Sequence, residues 1–190
     1  MQTARLVSLT FQPMLTGLYL LVAVGTATAP TVGQGLLWAV GLGFLTSIMP
    51  AADLALRVRK GRISDFQMIL REERLRPLLA ALTWSLVGLA AAILLGAPKP
   101  LIVTLAVGTA NGIVLTAITT VWKISFHTAT LTGALLVAAV LLQPVLLTLS
   151  PLIALVGWSR VKLGRHTPGQ TVAGALVAAL TSGAILSVLV

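Results

Sequence analysis

The sequence has no cysteine, one tyrosine, two histidines and four acidic residues, and only 9% of its 190 residues are charged. Without cysteine there is neither a disulfide framework nor a thiolate metal site, and the redox compartment stays open. The four acids, Asp53, Asp65, Glu72 and Glu73, are not spaced as a carboxylate cage for Mg²⁺ around a diphosphate, which disfavours a metal-dependent prenyltransferase. With 57% hydrophobic residues and a mean hydropathy of +1.03, the composition also lies outside that of an ordinary soluble domain.

What the sequence does have is long apolar runs, and a membrane span needs about 20 such residues. Residues 6–52 carry no charge, enough for two spans, and "APTVGQG" in their middle predicts a helical hairpin. Pro30, just after "ATA", argues against reading the first run as a cleaved signal peptide. Spans are expected at 77–95 and 101–122, divided by "GAPKP", then two short ones within 127–159 that turn at Gln143 and Pro144, and a last one at 168–190. The expected fold is all-α: one integral-membrane domain over 1–190, a polytopic transmembrane helical bundle of six or seven membrane segments, with a basic interfacial loop at 53–76.

A net charge of +9 would suggest nucleic acid in a soluble protein, but here the basic residues fall in the gaps between apolar runs. No nucleic-acid partner is expected; membrane lipids with anionic headgroups are. All of the 13 Lys and Arg except Lys99 fall on one predicted face. By the positive-inside rule that face is cytoplasmic, in a bacterial-type plasma membrane, and the C-terminus lies opposite. Within the basic loop, Phe66, Ile69 and Leu70 share one face of a possible interfacial helix, and Glu72 with Arg76 makes an i,i+4 pair. The alternative role for this segment is to extend an arginine, Arg71 or Arg76, to a bound anion.

Both histidines fall on the basic face at the start of a membrane helix. Hydrogen bonding at the headgroup level would account for either one alone. Their neighbours suggest more: "WKISFH" gathers Lys123, Ser125 and His127, and "WSRVKLGRHTPGQ" sets Arg160 and His166 ahead of a helix whose first turn suits Pro168. Helix N-termini present free N–H groups to anions. Two histidines with Arg and Lys supply the nucleophile, the acid and the cations that phosphoryl transfer requires, without a metal. Gln170 has two readings: it can orient His166, or close a capping box with Thr167. Asn111, polar within the fourth span, either lines an interior cavity or pairs with a neighbouring helix. Trp122 and Trp158 sit at predicted membrane boundaries, as aromatic-belt residues do.

"SRVKLGRH" fits S-R-x(5)-H, the third motif of the type 2 phosphatidic acid phosphatase superfamily, and "KISFH" resembles its second motif, P-S-G-H. The resemblance covers roughly the C-terminal third of the chain, with the two motifs at opposite ends of a hairpin as in the family. It implies a metal-independent, cofactor-free phosphatase acting on a lipid phosphate or diphosphate, isoprenoid or diacylglycerol, whose tail stays in the bilayer. It further implies that His166 attacks phosphorus to form a phosphohistidine, that His127 protonates the leaving alcohol and later activates water, and that Arg160 and Ser125 hold phosphate oxygens. Three departures stand out. Phe126 replaces a glycine, Gln170 replaces an acid, and Ile69 replaces the lysine of a K-x(6)-R-P first motif that would end at Arg76 and Pro77, with Arg71 or Lys123 left to supply the cation. A glutamine can fix a tautomer but cannot stabilise imidazolium by charge, and losing such a carboxylate can lower turnover about 10⁴-fold. A non-catalytic anionic-lipid-binding membrane protein is therefore one alternative; a small transporter is another, although the spans offer few polar residues to line a path.

Overall fold

The structure is a computed structural model that describes residues 1–64 and 73–190, and these form helices with no strand among them. Helix α1 (Gln2–Thr10) meets α2 (Pro13–Thr28) at a 48° bend. Pro13 starts a helix readily but has no N–H with which to continue the preceding one. Helix α3 (Val32–Gly43), capped by Thr31 through its contact with the Gln34 N–H at 3.2 Å, continues through a π turn (Phe44–Ile48) into α4 (Met49–Arg59). The π turn sits where Pro50 removes the N–H that an α-helix would direct at Thr46. The expected hairpin is thus formed by α2 and α3. Near its tip Gly25 and Gly35 meet backbone to backbone, so that a Cβ on either would run into the other's carbonyl.

The remaining helices are α5 (Leu75–Leu94), α6 (Lys99–Thr119), α7 (Phe126–Leu141), a short 3₁₀ segment (Pro144–Leu149) leading into α8 (Pro151–Lys162), and α9 (Pro168–Leu189). Each reverses the direction of the one before it. The starts of α2, α5, α7 and α9 therefore gather at one end with the ends of α4, α6 and α8, and every described Lys or Arg except Lys99 belongs to that end. An apolar core of Leu21, Val24, Leu101, Val107 and Val137 joins α2, α6 and α7, while Leu94, Leu180 and Val188 point outward and are exposed.

Five helical stretches are long and apolar enough to cross a membrane: Val32–Arg59, Leu75–Leu94, Lys99–Thr119, Pro144–Lys162 and Pro168–Leu189. Counted as one span, the bent α1–α2 pair makes a sixth. The one remaining expected segment, the first of the two within 127–159, corresponds to α7, which is apolar but has only 16 residues. Its length of roughly 24 Å falls short of a ~30 Å hydrocarbon core.

The basic segment also begins later than its composition suggests. Residues 53–59 belong to α4, where Arg57 Nε pairs with Asp53 one turn earlier at 2.6 Å. Glu73 accepts from the Ser64 N–H at 3.1 Å and from its hydroxyl at 2.7 Å. Phe66, Ile69, Leu70, Arg71 and Glu72 lie outside the described residues, and with them the interfacial helix, its ion pair and one of the two candidate arginines.

Candidate functional site

The site is assembled by three helix termini. Helix α8 ends in a Schellman motif: the Gly164 N–H reaches Val161 O at 2.9 Å, and the Arg165 N–H reaches Arg160 O at 2.9 Å. Gly164 takes φ +66°, a left-handed conformation in which a Cβ is strained, and this reverses the chain so that His166 returns over the helix end that carries Arg160. Arg160 is 2% exposed, and its Nη1 donates to the Ser8 hydroxyl at 2.6 Å. Ser8 is itself buried, on the short α1 that packs against α8, and its backbone also interacts with the His127 ring.

The starts of α7 and α9 are tied together. The Ser125 N–H donates to Gln170 O at 3.2 Å, and the Thr128 hydroxyl donates to Thr171 O at 2.8 Å. Gly174 permits this approach: a Cβ there would lie 2.5 Å from Ser125 O and 2.7 Å from the Thr128 hydroxyl. Ser125, fully buried, caps α7 by accepting from the Thr128 N–H at 3.5 Å.

At the start of α9 the two readings of Gln170 turn out to be one arrangement. Its Oε1 accepts from the Thr167 N–H at 3.1 Å, and the Thr167 hydroxyl accepts from the Gln170 N–H at 3.3 Å, which closes the capping box. The same Oε1 lies 3.2 Å from His166 Nδ1. Because a backbone N–H requires an acceptor, the atom facing Thr167 is the amide oxygen, and the ring nitrogen facing that oxygen must carry the proton. His166 is 8% exposed. Burial, reinforced by Arg74, Arg160 and Lys123, pushes its pKa down to about 3, with the Gln170 hydrogen bond opposing the shift. His166 is therefore neutral at physiological pH, protonated on Nδ1, with a free lone pair on Nε2.

Arg74, His127, Arg160 and His166 line the polar mouth of a cavity of about 420 Å³ that continues inward between α2, α4, α5, α6 and α7. Phe126 lines it as well. Lys123, half-exposed, does not line the cavity, but its charge acts on His166. Ser125 lies beneath the mouth as the α7 cap rather than in its wall. Arg76 is exposed on the first turn of α5, outside the wall, although Pro77 beside it is buried. The cation that this region contributes is instead Arg74, at 6% exposed. Deeper in the bundle, Asn111 fulfils both of its readings: it lines the cavity, and its Nδ2 donates to the Ser182 hydroxyl at 2.8 Å and to Val107 O at 3.0 Å.

Arg74 and Ser8 are the two site residues that sequence reasoning misses. Ser8 lies 152 residues from Arg160 and sits in no recognisable motif. For Arg74 the signal would have been the start of α5 at Leu75, which decides which arginine of "RLRP" turns inward.

No protein-family model, no curated protein and no solved structure matches the chain. The chemistry must therefore be read from the site itself: an uncharged imidazole with one nitrogen free, a second imidazole beside it, and two buried guanidinium groups at the mouth of a cavity.

Proposed function

We propose that the chain is a metal-independent membrane phosphatase that hydrolyses a lipid phosphate or diphosphate through a phosphohistidine. One observation carries this reading. Gln170 Oε1 fixes the Nδ1–H tautomer of a buried, neutral His166 and leaves Nε2 as a nucleophile at a cationic cavity mouth. Nε2 attacks phosphorus as the P–O bond to the lipid breaks. The leaving oxygen takes a proton from His127, which enters this step protonated. Water, deprotonated by His127, then attacks the phosphohistidine, releasing phosphate and regenerating His166. The guanidinium groups of Arg160 and Arg74 offset charge on the equatorial oxygens; Lys123 contributes from the rim, and Ser125 holds the α7 start that carries His127.

This reading includes the membrane placement. The candidate spans and α7 cross the bilayer, seven passes in all, with the thinner bilayer around α7 met by headgroups at the recessed site. The basic end, with exposed Trp122 and Trp158 beside it, lies at the cytoplasmic surface of a bacterial-type plasma membrane.

The absence of a carboxylate at Gln170 favours a second reading, a binder of anionic headgroups without turnover. Phosphate release from lipid phosphates, measured with chelator present, separates the two. Release that is lost in His166→Ala supports the phosphatase; no release from the intact protein, with headgroup binding retained in His166→Ala, supports the binder.

A further inference from the structure

The cavity does not end at the histidines. Along α6 it is lined from Thr116 to Thr104, roughly 18 Å at 1.5 Å rise per residue, and along α7 it reaches Val137. An extended alkyl chain of about fourteen carbons has that length. Its volume of about 420 Å³ lies in the lower part of the roughly 300–1,000 Å³ range of pockets that enclose small ligands.

Two glycines distinguish this space from imperfect packing. At Gly25, Gly35 and Gly174 a Cβ would strike a neighbouring helix, so glycine there serves close approach. Gly17 on α2 and Gly108 on α6 also line the cavity, yet a Cβ at either meets nothing within 4 Å. Glycine at these two positions brings no helices together, and because Gly108 is exposed the cavity is open to the outside of the bundle along α6.

We infer that the cavity is a chain-binding channel, which takes an apolar chain of a lipid phosphate into the bundle while the phosphate sits at Arg74, Arg160 and the two histidines. This inference rests on the phosphatase reading for the headgroup and corrects it for the tail. The tail is drawn from the bilayer into the cavity.

The test uses the full-length protein in phosphatidylcholine nanodiscs with a fourteen-carbon alkyl phosphonate, which cannot be hydrolysed, carrying a diazirine on its terminal carbon. The alcohol of the same chain serves as control. Irradiation and peptide mapping are expected to place the label on Leu105, Val107 or Val137. Gly108→Leu and Gly17→Val, which add bulk to the lining from α6 and α2, are each expected to reduce that labelling at least tenfold. Label confined to outward residues such as Leu94, Leu180 and Val188, or deep labelling unchanged in both variants, overturns the channel. A parallel assay follows phosphate release from single-chain phosphates of eight to twenty carbons and from a diacyl phosphate. It is expected to favour chains near fourteen, with the optimum shortened by Gly108→Leu. Deep labelling equal for phosphonate and alcohol, with no release from any chain, keeps the channel and removes the phosphatase reading. Release with only outward labelling does the reverse.

Discussion

Gln170 illustrates how one oxygen can hold two donors, and its replacement should have two separable effects. Gln170→Ala removes the acceptor for both the Thr167 N–H and His166 Nδ1–H. We expect a loss of about 1 kcal/mol in stability from the broken capping box and a fall in kcat of at least tenfold, checked by thermal denaturation and by phosphate release. On the proposed phosphatase mechanism, Gln170→Glu keeps both contacts and adds charge opposite the developing imidazolium, so kcat should rise above that of the natural protein. His166 has a pH signature. The unfolded chain takes up its proton near the ordinary value of 6.5, but the folded chain only near about 3. Stability should therefore fall as pH drops from 6.5 towards 3 and should be insensitive to this group above 6.5. His166→Gln should flatten that slope in denaturation measured across the window. At this scale the spacing of "SRVKLGRHTPGQ" already marked His166, Arg160 and Gln170 as candidates. It presented the two roles of Gln170 as alternatives because spacing does not reveal that a carbonyl with two lone pairs faces both donors at once. Ser8 and Arg74 were not legible, since each depends on which way a neighbouring helix is rolled.

At the scale of elements the decisive contact is that of α9 with the start of α7. Gly174→Ala would place a methyl group 2.5 Å from Ser125 O, so the helices must separate, at a penalty of about 1–3 kcal/mol. Because Ser125 and Thr128 anchor the helix that carries His127, activity should fall further than stability alone explains. Turnover measured well below the melting temperature would show this. Turn residues made the hairpin tip at "APTVGQG", the turn at "GAPKP" and the reversal at Gln143 and Pro144 legible in the sequence. The α1–α2 bend was less so, because a charge-free run carries no sign of direction other than Pro13. The boundary of α4 was misplaced for the opposite reason: Asp53 and Arg57 look like loop residues by composition, yet they pair along one helix face.

At the scale of the whole molecule, the alternation of helices puts Lys99 at one end and the remaining described basic residues at the other. Lys162→Cys should react with a membrane-impermeant maleimide only after cells are permeabilised, whereas Lys99→Cys should react in intact cells; the reverse pattern would invert the proposed topology. Charge distribution made this arrangement legible. The internal cavity was not, because apolar residues facing a cavity and apolar residues facing lipid read alike. The Gly25–Gly35 contact also has a mechanical consequence. It lies at the end of the hairpin away from the histidines, so a methyl group at either glycine would force α2 and α3 apart there and change the tilt between them. Pro13 lies twelve residues from Gly25, a lever arm of roughly 18 Å, so a pivot of about 5° displaces it by roughly 1.5 Å. Helix α1 precedes Pro13 directly, so Gly25→Ala should weaken the contact between Arg160 and the Ser8 hydroxyl from the opposite end of the hairpin.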